Sequence, residues 1–407
     1  MKNDFLHEIE QRGLLFQVSD MDKLNDWLNG GSRTAYLGMD PTADSIHVGH
    51  LVPAIIVRWF QHYGHKPIML VGGATGRIGD PSERNTDRPM MSDETVAQNS
   101  AGLRKCYSQF IKFGDGPTDA IMVDNYDWHK NFSHIDFLRE FGTSFTIPKM
   151  LAMESVKRRL ENDMSFLEFN YMPLQAVDFL TLFDQHDCRL QLCGADQWGN
   201  CVAGVSLIRR KRGAEAFVLS NPLITDLSGA KIGKSAGNAV WVRADRTPPF
   251  DYYQYFRNTK DADVGRFLKI FTELSLDEIE EMSRLQGAEL NEAKKILAFE
   301  ATKIAHGAAA AKAAEESALA LFGKSANGAE AVPEISVRAK LPMSALDFAM
   351  LTGLFPSKSE GRRAIDQGAL TIAGKRVETP DAMVAPAAEL LVQKGKKTFL
   401  KVKIEGA

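Results

Sequence analysis

Residues 35–73 read AYLGMDPTADSIHVGHLVPAIIVRWFQHYGHKPIMLVGG and decide the fold class. The apolar run that ends at Asp40 predicts a strand, and the turn-forming residues after it predict a loop. Apolar residues are dense from His47 to Tyr63, which predicts a buried helix that Gly64 caps. The run KPIMLVGG predicts a second strand. Strand, helix and strand with glycine-rich turns form the unit of a parallel sheet covered by helices.

The same pattern continues through the middle of the chain. Apolar runs predict a helix over 165–183 and strands over 120–125, 189–194 and 217–225. We therefore predict one doubly wound, parallel-sheet α/β domain, Rossmann-like, over residues 1–245, with a helical insertion near 130–163.

The composition changes after this domain. Residues 246–322 carry helical periods and no strand signal, which predicts an all-α domain. Residues 323–341 are rich in Gly, Ala, Ser and Pro and predict a linker. The segment 342–407 is short, mixed and basic, and predicts a small α+β domain.

The bulk composition excludes several classes of protein. A chain of 407 residues is too long for one core, and 44% hydrophobic with 25% charged residues is typical of a globular protein. With a net charge of -3, any RNA binding must come from local basic patches. The four cysteines lack metal-site spacing. No apolar run predicts a signal peptide or a membrane span, so we expect a cytoplasmic protein.

Two short motifs carry phosphate chemistry. HVGH, from His47 to His50, begins a helix after a strand, where backbone N–H groups favour phosphate, and Gly49 lets a nucleotide pack on the backbone. Two ordinary capping histidines would explain this tetrapeptide equally well. KIGKS places Lys231 and Lys234 around a glycine, which suits a polyphosphate, although such a loop taken alone is more often merely solvated.

A third pattern lies in YMPLQAVD, where Tyr171, Gln175 and Asp178 share one helix face. The apolar neighbours predict that this face is buried, and a carboxylate there costs stability unless it is paired. A partly solvated helix edge is the alternative. The pattern therefore favours a pocket for a polar ligand.

The C-terminal segment carries a fourth pattern. Cations cluster at the start of a predicted helix and at a turn that contains Gly374: Lys358, Arg362, Arg363, Lys375 and Arg376. Such spacing presents cations to a phosphate backbone, although a solvated basic face is the alternative. The length and order of this segment resemble the small RNA-binding domain shared with ribosomal protein S-four.

HVGH and KIGKS together resemble the two signatures of class I aminoacyl-tRNA synthetases. The resemblance to the bacterial tyrosyl-tRNA synthetases extends through YLGMDPTADSIHVGH, LVGGATGRIGDPS, NYDW, YMPLQAVD and GADQWGN, and so covers the catalytic domain nearly throughout. It implies activation of tyrosine by ATP and transfer of tyrosine to tRNA(Tyr). It also implies Mg²⁺ that accompanies ATP, no metal bound by the protein itself, a homodimer, and an anticodon-side role for the helical domain.

The resemblance also implies a role for each matching residue. Tyr36 and Asp178 would bind the phenol hydroxyl, and Gln197 the carboxyl group. The substrate ammonium would meet Asp80, Tyr171 and Gln175. The ATP base and ribose would lie against Gly38, Asp40, Gly49, Gly194 and Asp196. The γ-phosphate would meet Thr42 and His47, the nucleoside would meet His50, and the departing pyrophosphate would meet Arg84, Arg88, Lys231 and Lys234. Leu37 and Pro53 depart from the family pattern near the nucleotide.

Three other functions compete with this one. A sibling synthetase for tryptophan would share most motifs, but Asp178 with Tyr36 suits a phenol. A nucleotidylyltransferase can share the HxGH signature, but the two later domains argue against it. A non-catalytic RNA-binding paralogue would lose signature residues, whereas both histidines of HVGH and both lysines of KIGKS are present.

Overall fold

The computed structural model describes residues 2–82, 91–161, 163–225, 234–235, 238–322, 334–339, 341–355, 357–387, 389–395 and 398–405. The chain forms two compact units, Met1–Ala311 and Lys312–Ala407. In these described segments no helix has both the length and the apolar character needed to cross a membrane.

A six-stranded sheet forms the centre of the first unit. Its strands are β1 (Gln17–Val18), β2 (Thr34–Met39), β3 (Lys66–Val71), β4 (Ile121–Asp124), β5 (Leu190–Gly194) and β6 (Phe217–Asn221). The order is β1-β6-β5-β2-β3-β4, and every pairing from β6 to β4 is parallel. The predicted α/β class with a parallel sheet is therefore confirmed. The antiparallel edge strand β1 was not predicted, because two residues are too short to show alternation.

Helices surround this sheet and follow it along the chain. The first eleven are α1 (Asp4–Gln11), α2 (Met21–Asn29), α3 (Leu51–His62), α4 (Asp93–Tyr107), α5 (Tyr126–His129), α6 (His134–Glu140), α7 (Ile147–Leu151), α8 (Glu154–Leu160), α9 (Phe166–Phe169), α10 (Tyr171–His186) and α11 (Trp198–Arg212). A short hairpin, β7 (Lys234–Ser235) and β8 (Asn238–Ala239), precedes α12 (Pro249–Arg257), α13 (Val264–Phe271), α14 (Leu276–Ser283), α15 (Gly287–His306) and α16 (Ala308–Phe322).

The strand order places a crevice between β2 and β5. After β2, the strands β3 and β4 are added in order on one side of β2. The later strands β5 and β6 are added on its other side, so the strand order reverses between β2 and β5. Parallel doubly wound sheets bind ligands at this reversal, outside the carboxyl ends of the strands. Met39 and Gly194 end the two strands there, so the residues that follow them face the crevice.

One predicted helix is two helices in the structure. The sequence predicts a continuous helix over 165–183, but α9 ends at Phe169 and α10 begins at Tyr171. Pro173 is the third residue of α10, where its missing N–H falls in the first turn and breaks no helical hydrogen bond. In a helix that continued through Asn170, residue 173 would have to donate its backbone N–H to the carbonyl of Phe169, and proline has no N–H to donate.

Helices α12 to α15 belong to the same compact unit as the sheet, and the boundary between the two units falls within α16. Arg12, at the end of α1, donates hydrogen bonds of 3.0, 3.0 and 2.8 Å to the carbonyls of Lys269, Thr272 and Leu274. The Arg12 side chain is buried, so these bonds tie α13 and its C-terminal turn to the N-terminal helix. The boundaries predicted at 245, 322 and 341 stay predictions.

The second unit contains a five-stranded sheet with two helices. Its elements are β9 (Glu334–Arg338), β10 (Met343–Ser344), α17 (Ala345–Leu351), α18 (Lys358–Asp366), β11 (Leu370–Ile372), β12 (Lys375–Arg376), β13 (Met383–Val384), β14 (Glu389–Lys394) and β15 (Thr398–Glu405). The sheet order is β12-β11-β14-β15-β9. Strand β9 lies inside the predicted linker, because Ile335 and Val337 alternate toward the core of this unit although the flanking composition is linker-like.

Candidate active site

A chain of hydrogen bonds crosses the carboxyl edge of the sheet. The hydroxyl of Tyr171 donates to Oδ2 of Asp40 at 3.1 Å, and the hydroxyl of Thr75 donates to Oδ1 of Asp40 at 2.7 Å. The amide of Asn125 donates to Thr75 Oγ1 and to Oδ2 of Asp178, both at 3.0 Å. The structure thus connects three predicted site residues through Thr75 and Asn125, which the sequence analysis did not assign.

Asp178 is a buried carboxylate with three protein donors. Its exposed fraction is 1%. Besides Asn125, the indole Nε1 of Trp128 lies 2.8 Å and Nε2 of His129 lies 2.7 Å from Oδ1. These partners meet the requirement that a buried carboxylate be hydrogen-bonded. The motif NYDW contains two of the three donors and was the available sequence signal.

Tyr36, on β2, lies in the buried region near Asp178. Its side chain is 1% exposed, and its hydroxyl has no hydrogen-bond partner among the described residues. Burial raises the pKa of Tyr36 well above its usual value, and the nearby charge of Asp178 adds to that effect. Its ring packs against Phe179, with centroids 5.2 Å apart. A buried hydroxyl without a partner is costly, and its binding of the substrate phenol stays a prediction.

Asp80, Gln175 and Tyr171 were predicted to bind the substrate ammonium. Oδ1 of Asp80 accepts the backbone N–H of Ser82 at 2.9 Å, and Oδ2 accepts Nε2 of Gln197 at 2.6 Å. On the facing helix α10, the side-chain oxygen of Gln175 is buried without a partner in the described part of the chain. Burial, and next the charge of Asp40, raise the pKa of Tyr171, so its hydroxyl stays neutral and remains a donor.

The first signature forms a short turn ahead of α3. Nδ1 of His47 accepts the backbone N–H of Gly49 at 3.0 Å, and the rings of His47 and His50 are stacked with centroids 3.9 Å apart. One histidine therefore caps the turn, as the alternative interpretation expects. His50 is exposed, however, and stays accessible to a ligand.

The structure brings the two signatures into contact through their neighbours. The backbone N–H of Val48 donates to the carbonyl of Val240 at 2.9 Å, and that of Val242 donates to the carbonyl of Ile46 at 2.9 Å. Because β7 and β8 lead directly into residues 240–242, the hairpin that begins at Lys234 is anchored beside the first signature.

Three predicted pyrophosphate-binding residues, Arg84, Arg88 and Lys231, lie outside the described residues. The backbone of Lys234 forms β7, while its side chain lies outside what the structure describes. The clamp on pyrophosphate therefore stays a prediction for all four cations.

Small and exposed residues line the predicted nucleotide side. Gly38 and Thr42 are exposed at the end of β2 and just after it. A Cβ at Gly194, which ends β5, would approach Oδ1 of Asp196 to 2.5 Å, so a larger residue there would require the Asp196 carboxylate to shift. Leu37 is buried, which places this departure from the family pattern within the sheet core.

The C-terminal cations lie on one unit of the chain. Lys358, Arg362 and Arg363 on α18 and Lys375 and Arg376 on β12 are all exposed. Nζ of Lys358 lies 2.8 Å from Oδ1 of Asp347, so part of its charge is already paired. A Cβ at Gly368 would collide with the guanidinium of Arg376, which shows that β12 packs beside the end of α18.

Comparisons with known proteins agree with this arrangement. The family described as tRNA synthetases class I (W and Y) matches residues 29–323. The chain is similar to the Tyrosine--tRNA ligase of Rhodospirillum rubrum, at 48% identity over 96% of this chain and 93% of the relative. It is also similar to that of Caulobacter vibrioides, at 45% identity over 99% and 98%.

A solved structure has a similar fold. The C-terminally truncated mitochondrial tyrosyl-tRNA synthetase of Aspergillus nidulans matches with a TM-score of 0.70 and 30% identity, over 78% of this chain and 94% of that one. Together with the matched residues and the site geometry, these similarities confirm the family predicted from the sequence. The chain belongs to the class I tRNA synthetases of the tryptophan and tyrosine group.

Proposed function

We propose that this protein is a tyrosine–tRNA ligase that activates tyrosine with ATP and transfers it to the terminal ribose of tRNA(Tyr). The observation that carries this choice is the buried pair of Asp178 and Tyr36. The curated relatives that match nearly the whole chain bear the same function in their names.

The hydrogen-bonding capacity of this pair favours a phenol. An ionised carboxylate has about four acceptor positions, and three positions of Asp178 already hold protein donors. One acceptor position remains on Oδ2, and the Tyr36 hydroxyl supplies a donor. A phenol hydroxyl can donate to Asp178 and accept from Tyr36 at once. An indole N–H only donates, so tryptophan would leave Tyr36 without a partner.

The amino-acid end of tyrosine fits the opposite part of the pocket. A substrate ammonium carries three donors, and Asp80 with the side-chain oxygen of Gln175 supplies acceptors for them. The Tyr171 hydroxyl lies beside them on α10. The amide of Gln197 is held next to Asp80, where it would orient the carboxyl group that is activated.

ATP would lie across the crevice between β2 and β5. The base and ribose would lie against the residues at and near the strand ends: Gly38, Asp40, Gly49, Gly194 and Asp196. The γ-phosphate would meet Thr42 and His47, and the nucleoside would meet His50. Mg²⁺ would arrive with the phosphates of ATP. Throughout the described segments, no three His, Cys, Asp or Glu side chains gather as ligands for a metal ion.

The reaction needs no side-chain nucleophile. The carboxylate of tyrosine attacks the α-phosphorus of ATP, and the bond to the bridging oxygen of pyrophosphate breaks. The protein contributes by placing the two reactants and by stabilising charge on the departing pyrophosphate. Arg84, Arg88, Lys231 and Lys234 would supply that charge stabilisation. The ribose hydroxyl of tRNA then attacks the acyl carbon, and AMP departs.

The second unit would bind tRNA. Its exposed cations lie along α18 and β12, which pack beside each other, and this neighbouring arrangement suits consecutive phosphates of an RNA backbone. Lys358 would contribute less than Arg362 or Arg363, because Asp347 neutralises part of its charge. Charging of tRNA in this way would take place in the cytoplasm.

A homodimer is also part of the proposal. Seven of the fourteen exposed large hydrophobic residues found in the described parts of the chain fall between residues 134 and 167, on α6 to α9: Ile135, Leu138, Ile147, Leu151, Leu160, Phe166 and Leu167. Apolar surface concentrated in this way favours a protein interface. Sedimentation of the purified protein at micromolar concentration measures its assembly state.

One assay tests the proposed function against its rivals. Exchange of labelled pyrophosphate into ATP should depend on added tyrosine. Dependence on tryptophan would instead indicate the sibling enzyme. No exchange with either amino acid would leave the two other rivals, a nucleotidylyltransferase, which exchanges pyrophosphate only with its own acceptor present, and a non-catalytic paralogue.

A further inference from the structure

His129 is a buried polar residue that the predicted roles do not include. It ends α5, directly after the motif NYDW. Its side chain is 7% exposed, and its Nε2 lies 2.7 Å from Oδ1 of Asp178, whose side chain is 2% exposed. The imidazole centroid lies 6.3 Å from the ring of Trp128 and 6.4 Å from that of Phe137. A buried imidazole in contact with the phenol-binding carboxylate can influence substrate recognition.

The two oxygens of Asp178 have different partners. Oδ1 receives both Trp128 and His129, at 2.8 and 2.7 Å, whereas Oδ2 receives only Asn125 among the described residues, at 3.0 Å. A carboxylate oxygen offers about two acceptor positions, so Oδ1 is filled and Oδ2 keeps one position open. His129 supplies the second donor that makes this difference.

We propose that His129 is a positioning residue for tyrosine: by filling Oδ1 of Asp178, it directs the substrate phenol to Oδ2. This inference rests on the proposed tyrosine specificity. Without His129, Oδ1 would regain an unfilled acceptor position inside a buried pocket. The carboxylate could then turn, and the phenol would meet two competing oxygens in place of one fixed partner.

The consequence falls on tyrosine binding and spares the chemical step. In the proposed function the activated carboxyl group would lie at the other end of the substrate, beside Gln197, whose amide donates to Asp80. Phenylalanine has no hydroxyl to offer Asp178, so its binding should not depend on which oxygen is open. Loss of His129 should therefore raise KM for tyrosine alone and narrow the preference for tyrosine over phenylalanine.

The test compares variants of the full-length enzyme in pyrophosphate exchange. His129→Leu removes the donor, whereas His129→Gln places an amide N–H near the position of Nε2. His186→Leu, eight residues beyond Asp178 on α10, is the matched control for the loss of a histidine. His129→Leu should raise KM for tyrosine roughly tenfold, the loss expected for one hydrogen bond to a charged group. In His129→Leu, KM for phenylalanine, KM for ATP and kcat for tyrosine should each stay within about twofold of the parent enzyme. In the control His186→Leu, KM for tyrosine should stay within about twofold as well. His129→Gln should recover most of the loss.

Three outcomes would overturn the inference. KM for tyrosine in His129→Leu could match the parent, or KM for tyrosine, phenylalanine and ATP could rise together in the Leu and Gln variants alike. A parent enzyme without tyrosine-dependent exchange would overturn the proposed function first, and the inference with it. If His129→Leu does not fold, His129→Asn takes its place, because its shorter amide should not reach Asp178 and should reproduce the loss that Gln does not show.

Discussion

The side-chain amide of Gln197 donates a 2.6 Å hydrogen bond to Oδ2 of Asp80. The two residues come from different parts of the chain, and the family resemblance assigns them to the carboxyl and the ammonium groups of the substrate. Asn200 in turn donates to Oε1 of Gln197 at 3.2 Å, which fixes the orientation of the amide. Both charged groups of an amino acid would thus be recognised by one connected set of side chains.

Asp80→Asn should therefore weaken the binding of tyrosine. The substitution keeps the size of the side chain but removes the charge that faces the ammonium, a loss of about 1.5–3 kcal/mol for a hydrogen bond to a charged group. We expect KM for tyrosine to rise about 10- to 100-fold in pyrophosphate exchange, with KM for ATP nearly unchanged. The control is Asp93→Asn, which removes an exposed carboxylate paired with Arg77. An unchanged KM for tyrosine would remove Asp80 from the ammonium site.

Lys231→Ala and Lys234→Ala should each slow the formation of tyrosyl-adenylate and leave tyrosine binding nearly intact. The charge that these lysines would meet develops only as pyrophosphate departs, so the loss appears in kcat. The expected cost is roughly 2–4 kcal/mol of activation free energy for each, as for other preorganised donors. Single-turnover kinetics at saturating tyrosine measure it. Equal losses in tyrosine affinity and in rate would assign the loop another role.

Asp178→Ala should narrow the preference for tyrosine over phenylalanine. A pocket built to bind a hydroxyl can reject the analogue without it by about 10⁵-fold; the tyrosyl enzyme is itself the standard example of that magnitude. In this chain we assign the effect to Asp178 and Tyr36. Tyr36→Phe should narrow the ratio more mildly, since it removes one neutral hydrogen bond worth roughly 0.5–1.5 kcal/mol. The measurement is kcat/KM for both amino acids in each variant, and an unchanged ratio in Asp178→Ala would reopen the choice of amino acid.

Deletion of residues 334–407 should spare pyrophosphate exchange and cripple the charging of tRNA. The cut precedes β9 because this strand pairs with β15, so a cut at 342 would leave half of a parallel strand pair behind. In the intact protein, charging should weaken steeply with salt, and Arg362→Gln with Arg363→Gln should reduce that salt dependence. Lys358→Gln should change it less, because of Asp347. Normal charging by the truncated enzyme would contradict an RNA-binding role.

The free energy of unfolding should fall as the pH drops from about 6.5 to 4, in part through His65. Burial lowers the pKa of His65 to about 4, and its ring stacks on Phe60 while Nδ1 accepts the N–H of Arg33. The unfolded chain binds a proton below about pH 6.5 and the folded chain does not, so this stability is complete above pH 6.5 and declines below it. The decline should reach about 2 kcal/mol at pH 5.

His65→Asn keeps an acceptor for Arg33 and removes the titrating ring. The drop in thermal unfolding temperature between pH 7 and pH 5 should therefore be smaller in this variant than in the parent. His306, whose pKa burial also lowers to about 4, remains in both proteins, so part of the drop should persist. An equal drop in the two proteins would show that His65 does not contribute.

Much of the fold was predictable because its signals are local. The strands β2, β4 and β5 begin and end within one residue of the predicted positions, since apolar runs between turn-forming residues need no distant partner. The strands β3 and β6 begin at the predicted residues but end two and four residues earlier than predicted. Strand β9 was missed because its alternation covers five residues inside a Gly- and Ala-rich segment. The break at Asn170 was missed because the apolar period continues across it.

The predicted site was incomplete for a related reason. Tyr171, Gln175 and Asp178 could be predicted to share a face, because helical spacing alone sets that geometry. Thr75, Asn125 and His129 carry no such signal. Their contacts with Asp40 and Asp178 join residues 35 to 53 positions apart, and such contacts depend on how the strands and helices pack.

The sequence by itself determined the fold class, the family and the chemical identity of the residues that would bind tyrosine and ATP. These follow from short periods, turn residues and motifs, each of which acts over a few positions. Only the tertiary structure decided that Oδ1 of Asp178 is filled by Trp128 and His129 while Oδ2 keeps an acceptor position open. It also decided that Val48 lies against Val240, beside the second signature. The physical reason is that a hydrogen bond depends on distances and angles between groups, and the packing of distant segments sets those quantities.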